Sequence, residues 1–280
     1  MTADEIINEG KMKEYNFNVS EQTEKCIAWI KDFFNKNGNA STRSIIGISG
    51  GKDSTVVAAL LVKALGPSRV VGVMLPCGNQ VDIADSKKVI DNLGIDSYEI
   101  NIGPAYNALT EQMRVVSKNG GAFPNDGYST NTPARLRMTT LYGVGAILGN
   151  CRVVNTCQIS ENLNGYSTLW GDSCGDFAPI ELFTTEEVIA IGDYLGLPHE
   201  LTHKKPTDGM SLNDDGSLKG DEDKLGYSYE ECNRLIRLGD TSVPHFEQIM
   251  KQYHQCHFKM ELIHIPHYNP DLPIFEELDF

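Results

Sequence analysis

The chain has 280 residues, a formal net charge of −14 and a sequence pI of about 4.9. This acidic balance disfavours nucleic acid and anionic membrane surfaces as partners, because both attract basic surfaces. No apolar run approaches the roughly 18 residues of a membrane-spanning helix, and residues 1–13 lack the basic and apolar regions of a signal peptide. The seven cysteines form no C-x-x-C pair, so we expect reduced thiols and a cytoplasmic protein.

Predicted helices and strands alternate along the chain. An amphipathic helix comes first, at residues 20–37, with Ser20 as its cap. Its apolar face is broad enough to suggest cover on more than one side, which a partner chain could supply. Short β-branched runs predict buried strands at residues 44–48, 70–75, 98–102 and 152–156. Further helices are predicted at residues 55–62, 82–93, 132–148, 188–195, 229–238 and 244–263. Such alternation predicts an α/β fold, in which helices flank a doubly wound parallel sheet in a single domain over residues 1–280.

Three polar segments interrupt this pattern. Residues 118–131 are rich in Gly, Asn and Ser and predict a loop, which places Pro133 in the first turn of the next helix. Residues 159–176 have no clear period and follow a core strand, a position where functional residues are common. Residues 202–223 are charged and rich in Gly and Asp, which predicts a mobile flap.

The most specific pattern is the string S-G-G-K-D-S at residues 49–54, between the first strand and its helix. Its two glycines let a ligand approach the backbone, and the N–H groups that begin the helix favour an anion. The alternative is a turn that only caps the helix, but a cap needs one Ser or Asp and not six such residues. We therefore expect this stretch to bind phosphate or pyrophosphate through Gly47, Ile48, Ser49, Gly50, Gly51, Lys52, Asp53 and Ser54.

The string resembles the pyrophosphate loop of the N-type ATP pyrophosphatases, and later motifs extend the resemblance to the ammonia-dependent NAD synthetase family. L-P-C-G-N-Q-V-D at residues 75–82 and N-T-P-A-R-L-R-M at residues 131–138 are similar to family motifs, with Cys77 and Pro133 in place of Tyr and Lys. S-E-N at residues 160–162 and G-Y-S-T at residues 165–168 continue the series in order. The resemblance covers nearly the whole chain.

The resemblance implies an adenine nucleotide alpha hydrolase-like fold and a defined reaction. Family members amidate nicotinic acid adenine dinucleotide with ammonia and ATP through an acyl-adenylate, and they release NAD, AMP and pyrophosphate. Free ammonia is implied because the glutaminase domain of glutamine-dependent members does not fit within 280 residues. A homodimer is also implied, with the dinucleotide at the subunit interface.

The resemblance also implies roles for single residues. Asp53, Ser49 and Ser54 would be catalytic, and Asp53 and Glu161 would hold Mg²⁺, which prefers carboxylate oxygen. The alternatives are a helix cap for Asp53 and a solvated loop acid for Glu161. Thr156 and Thr207 would contact ATP. The dinucleotide would be bound by Arg135, Asp176 and Lys259.

Two departures from the family pattern concern charge. Leu169 and Thr185 stand where the family has lysines that serve anionic substrate groups. Two other functions therefore stay open. One is an N-type pyrophosphatase with a different acceptor, such as a tRNA-thiolating or GMP-forming enzyme, and the other is an adenine-nucleotide-binding protein without turnover.

Overall fold

The computed structural model describes residues 15–80, 83–117, 123–204, 207–212 and 218–280. Its centre is a four-stranded parallel sheet with the order β3-β2-β1-β4. The strands are β1 (Arg43–Gly47), β2 (Val70–Met74), β3 (Asp96–Glu99) and β4 (Cys151–Val153). The predicted α/β class with a parallel, doubly wound sheet is confirmed.

Strand β1 lies at the point where the strand order reverses. It pairs with β2 on one side and with β4 on the other. In a doubly wound sheet, the carboxyl end of such a strand opens into a crevice where ligands bind. The S-G-G-K-D-S string follows β1 directly, so the fold places it at this crevice.

Helices cover both faces of the sheet. Before β4 they are α1 (Val19–Lys36), α2 (Lys52–Leu65), α3 (Ile83–Leu93), α4 (Gly103–Ser117) and α5 (Asp126–Leu148). After β4 they are α6 (Ile159–Leu163), α7 (Thr185–Tyr194), α8 (His199–Thr202), α9 (Asp221–Leu225), α10 (Tyr229–Leu238), α11 (Phe246–Cys256) and α12 (Phe258–Leu262). In the part of the chain that the structure describes, each helix is too short or too polar to cross a membrane.

The apolar face of α1 is buried within its own chain. Its side chains join the core formed with α2 and α7, and Phe33 and Phe34 both pack against the ring of Phe177. The predicted cover on more than one side is therefore supplied by helices of the same chain, and this face gives no support for a partner chain. Ser20 is also not the cap, because Asn18 accepts the hydrogen bond from the Glu21 N–H at 3.1 Å.

Helix α5 begins six residues before its predicted start. Asn125 caps it by accepting from the Tyr128 N–H at 2.9 Å, so part of the predicted loop at residues 118–131 is helical. Pro133 therefore lies inside the helix and not in its first turn. The rings of Tyr106, Phe123 and Tyr128 pack together and connect the added first turns of α5 to α4. The sequence analysis predicted no helix where α4 lies.

Other boundaries differ for local reasons. The predicted helix at residues 244–263 is two helices, α11 and α12, which meet at His257. The predicted strand at residues 98–102 starts earlier, at Asp96, and ends at Glu99. Beyond it, the Ile100 N–H donates to the Met74 carbonyl at the end of β2, and the Ile102 N–H donates to the Pro76 carbonyl. Within the predicted flap, strands β5 (Thr207–Leu212) and β6 (Leu218–Gly220) pair in antiparallel fashion. The mobility of residues 202–223 stays a prediction.

A buried ion pair joins α7 to α10. Arg237 and Glu187 have side chains that are 1% and 0% exposed, and two hydrogen bonds of 2.7 Å connect them. Arg237 also donates to the Leu182 carbonyl at 2.6 Å and to the Pro273 carbonyl at 3.0 Å. This one guanidinium therefore fixes the C-terminal segment against the helices after β4.

Replacing Arg237 with Met should destabilise the protein by about 3–5 kcal/mol, because Glu187 would remain as a buried, unpaired charge. Urea denaturation measures this loss. The matched control is Arg114→Met, which removes an exposed pair with Glu111 and should cost less than about 1 kcal/mol. Equal losses in the two variants would contradict the assigned role of Arg237.

Candidate active site

A cavity of about 670 Å³ opens at the carboxyl end of β1. Its walls come from the 49–54 loop, the ends of β2 and β4, helix α5, the segment around α6, and α9. Of the residues that the sequence predicted for the site, it is lined by Gly47, Ile48, Ser49, Gly51, Lys52, Asp53, Ser54, Thr156, Glu161 and Lys259. The topology therefore brings the 49–54 loop, both predicted metal ligands and Lys259 to the same cavity.

Hydroxyl groups fix the shape of the loop. Ser49 Oγ lies 3.0 Å from Ser54 Oγ and accepts from the Gly51 N–H at 3.2 Å. Ser54 Oγ donates to the Gly51 carbonyl at 3.1 Å. The two predicted catalytic serines thus hold the turn closed, with the start of α2 directed at the cavity.

Gly50 is required by both backbone angle and space. Its φ of +79° lies in the left-handed region, and an added Cβ would come within 2.8 Å of Ser86 N and 2.9 Å of Asp85 Cβ. Asp85 is held in turn by Lys204, whose Nζ donates to Oδ2 at 2.9 Å. The loop therefore packs directly against the first turns of α3.

A buried ion pair stands at the start of α2. Lys52 Nζ lies 2.8 Å from Asp53 Oδ2, and the two side chains are 4% and 17% exposed. Burial alone would lower the pKa of Lys52, but the charges of Asp53, Glu161 and Asp221 outweigh it and raise that pKa. Lys52 also lies 6.0 Å from the centre of the Tyr229 ring.

The carboxylates here suit a cation. Asp53 Oδ1 is buried and has no hydrogen-bond partner among the described residues. Burial and then the charge of Asp53 raise the pKa of Glu161 well above its usual range, against the opposing charge of Lys52. A divalent ion would relieve both costs. The described residues contain no group of three or more His, Cys, Asp or Glu side chains arranged to hold a metal, so such an ion would need oxygen from water or substrate phosphate as well.

Two predicted substrate ligands lie outside this cavity. Arg135 is exposed, and its Nε donates to the Leu169 carbonyl at 3.1 Å. Asp176 accepts from the Tyr142 hydroxyl at 3.0 Å and from the Val153 N–H at 2.8 Å. Thr207 begins β5, but its side chain lies outside the described part of the structure. The roles of all three stay predictions.

Two other cations in the walls, Arg137 and Lys224, were not predicted as ligands. Arg137 lies two residues beyond Arg135 and lines the cavity, as do Lys204 and Lys224. Lys224 donates to the Tyr166 hydroxyl at 3.1 Å. Helical spacing places Arg137 about 200° around α5 from Arg135, so helical phase could have separated the two arginines in the sequence.

Positions 169 and 185, where the family motif has lysine, carry uncharged side chains in this chain. Thr185 is buried, and its hydroxyl accepts from Gln158 Nε2 at 2.8 Å. Leu169 contributes its carbonyl to Arg135. Thr185 therefore has a structural role here, whereas the contact at Leu169 is made by the backbone. The cations Lys52, Lys204, Lys224, Lys259 and Arg137 line the cavity.

Comparison with known proteins decides the family. The sequence model described as NAD synthase matches residues 22–264. The chain belongs to the NAD synthase family. It is 35% identical over 235 residues to the NH(3)-dependent NAD(+) synthetase of Pyrococcus furiosus, covering 83% of this chain and 82% of that protein. It is 31% identical to the enzyme of the same name from Carboxydothermus hydrogenoformans, covering 89% and 98%.

Solved structures support the same family. The NMN synthetase of Francisella tularensis superposes with a TM-score of 0.77 and 29% identity, covering 90% of this chain and all of that one. The NH3-dependent NAD synthetase of Campylobacter jejuni superposes with a TM-score of 0.69 and 25% identity, covering 89% and 99%. The chain is therefore a ligase, and its family supports a role in NAD synthesis that uses ATP as a substrate.

Replacing Gly50 with Ala should weaken ATP binding by tenfold or more, roughly, since the new methyl group would displace the loop or the start of α3. Calorimetric titration with ATP measures this change. Gly94→Ala is the control: Gly94 also has a positive φ, of +61°, but an added Cβ there would meet nothing within 4 Å. If both variants bind ATP equally well, the close packing at Gly50 does not shape the site.

Proposed function

We propose that the chain amidates nicotinic acid adenine dinucleotide with ammonia, at the expense of ATP, through an acyl-adenylate intermediate. The observation that carries this proposal is the S-G-G-K-D-S loop at the switch point of a NAD synthase fold, with the buried Lys52–Asp53 pair at its centre. A carboxylate accepts an amine only after its oxygen becomes a good leaving group, and transfer of AMP to that oxygen supplies one.

The loop is suited to the departure of pyrophosphate. Negative charge builds on the leaving phosphates, and N–H groups at the start of α2 together with the Lys52 ammonium can stabilise it. Asp53 and Glu161 would hold Mg²⁺. When bound, that ion supplies positive charge next to the phosphates.

The remaining cations suit the substrate. ATP and the dinucleotide bring several negative charges into one cavity, and Lys204, Lys224 and Arg137 line it. A planar guanidinium can bind a phosphate through two hydrogen bonds. We therefore assign Arg137 a substrate-binding role beside those predicted for Arg135, Asp176 and Lys259.

Nicotinic acid mononucleotide is a second candidate substrate. The NMN synthetase of F. tularensis superposes with a higher TM-score, 0.77, than the NAD synthetase of C. jejuni, 0.69. Both candidates carry the same carboxylate, so the chemistry at the loop would be the same. Only the dinucleotide carries an adenylate half, for which the site would need additional space.

A homodimer is part of this proposal, but its support comes from other helices than α1. Helices α4 and α5 contact each other, and both expose apolar side chains. Ile147 on α5 is 86% exposed, and Val115 and Val116 on α4 are 61% and 58% exposed. Exposed apolar side chains at this density are typical of protein interfaces.

The proposed reaction is tested by measuring pyrophosphate release with ATP and Mg²⁺, using each of the two candidate substrates with ammonium or with glutamine. We expect release and amide formation with the dinucleotide and ammonium, and none with glutamine. A higher kcat/KM with the mononucleotide would transfer the assignment to the second candidate. ATP binding without release for either substrate would favour the non-catalytic alternative.

Asp53→Asn is the matching variant, and it should lower the rate by about a hundredfold or more, since it removes a carboxylate that would hold Mg²⁺ beside the leaving phosphates. Its control is Asp91→Asn, an exposed acid on α3 far from the loop in sequence. If both variants retain the wild-type rate, Asp53 is not part of the catalytic machinery.

Sedimentation equilibrium tests the homodimer. We expect twice the 30.9 kDa of one chain, and a monomer for Ile147→Glu, because a charge would replace an apolar contact. Leu262→Glu on α12, where Leu262 is 53% exposed, should leave the dimer intact. A wild-type monomer at micromolar concentration would rule out the proposed assembly.

A further inference from the structure

A second, smaller cavity adjoins the active site. It has a volume of about 220 Å³ and shares three wall residues with the larger cavity: Cys157, Ser167 and Lys259. Lys259 is fixed there, because its Nζ donates to the Gly165 and Ser167 carbonyls at 2.7 and 2.8 Å. The two cavities therefore have part of their walls in common.

The smaller cavity contains a carboxylate with an unfilled acceptor. Glu181 lines it, and the Oε2 atom of this residue is buried without a hydrogen-bond partner in the described part of the chain. His267 Nδ1 is 3.6 Å from Oε2, too far for a hydrogen bond, and lies 3.1 Å from the Ile265 carbonyl, to which it can donate. Burial raises the pKa of Glu181 to about 7.

A buried oxygen of this kind lowers the stability of the protein unless a ligand donates a hydrogen bond to it. A carboxylate oxygen that is buried without a donor loses the hydration it has in water, and folded proteins pair nearly all such atoms. A carboxyl group with a raised pKa beside a catalytic cavity is a common sign of function. The other titratable side chains around this cavity are Cys157, His257, Lys259, Glu261, His264, His267 and Asp279.

We propose that the smaller cavity admits ammonium, and that Glu181 binds this ion and accepts its proton before ammonia passes Cys157, Ser167 and Lys259 to the active site. This inference rests on the proposed function. Ammonium is a small cation made only of hydrogen-bond donors, so it matches a carboxylate oxygen without a donor in a 220 Å³ space. Because the larger cavity has to hold two nucleotides, a separate route lets the amine arrive without displacing either.

The proton transfers balance. One N–H bond of ammonium breaks, its electron pair stays on nitrogen, and the proton binds Glu181 Oε2. The ammonia lone pair then forms the C–N bond to the acyl carbon as the C–O bond to AMP breaks, and nitrogen loses one further proton to solvent. Glu181 returns its proton to water, since its side chain is 24% exposed overall although Oε2 itself is buried.

The test is Glu181→Gln, which keeps size and removes the charge. The KM for ammonium should rise about tenfold, because a charge-assisted hydrogen bond is lost, while the KM values for ATP and the dinucleotide stay unchanged. Hydroxylamine is uncharged at neutral pH, so its rate as the acceptor should be unaffected by the variant. The control is Glu261→Gln at the same cavity, where the side chain is 68% exposed; its KM for ammonium should match the wild type.

The pH profile provides a second readout. In the wild type, kcat/KM for ammonium should carry an inflexion near pH 7, where Glu181 becomes a carboxylate, and Glu181→Gln should lack it. An unchanged KM for ammonium, or an equal loss with hydroxylamine, would overturn the ammonium site. If the Gln variant does not fold, Glu181→Asp replaces it, because it moves the carboxylate away on a shorter side chain. A raised KM for ammonium with an unchanged rate on hydroxylamine would support the site, and an unchanged KM for ammonium would overturn it. A wild-type protein without turnover on ammonium would overturn the proposed function itself, and this inference with it.

Discussion

The buried pair of Lys52 and Asp53 is the constraint on which the site depends. An ammonium and a carboxylate at the start of a buried helix are stable only if their charges are matched, and a salt bridge of 2.8 Å matches one oxygen of Asp53. The other oxygen has no partner in the described structure. The loop serines hold the turn closed, and Gly50 lets it pack against α3. Helix α2 is therefore anchored through one oxygen of Asp53, and the other oxygen of this cavity-lining residue can accept from a ligand.

The same arrangement explains how an acidic protein can bind anionic substrates. The chain carries a net charge of −14, yet the cavity walls include Lys52, Lys204, Lys224 and Arg137. Local charge and oriented N–H groups decide phosphate binding, whereas net charge acts over longer distances and is screened by salt. The loss of lysine at positions 169 and 185 is thus compatible with a cavity that other cations line.

The sequence predicted the parts of the structure that depend on local patterns. The strands and the 49–54 loop follow from short-range periodicity and from single polar residues. The start of α5 was missed because Asn125 caps a segment whose composition favours a loop. The burial of α1 within the chain depends on Phe177, more than 140 residues away, and no local pattern reports such a contact.

The site, like the fold, was predicted where it depends on a local motif. Motif residues at the strand end line the cavity, whereas Arg135 and Asp176 lie outside it and Arg137 lines it instead. Glu181 carries no motif, and its importance appears only when the fold buries one of its oxygens. Sequence patterns therefore located the phosphate loop, while the surrounding charges required the tertiary structure.

Isotope transfer tests the central claim most directly. Nicotinic acid adenine dinucleotide labelled with ¹⁸O in its carboxylate would be converted with ATP and ammonium, and the products analysed by mass spectrometry. An acyl-adenylate predicts one ¹⁸O atom in AMP and none in pyrophosphate. Label in inorganic phosphate with formation of ADP, or AMP without label, would contradict the account.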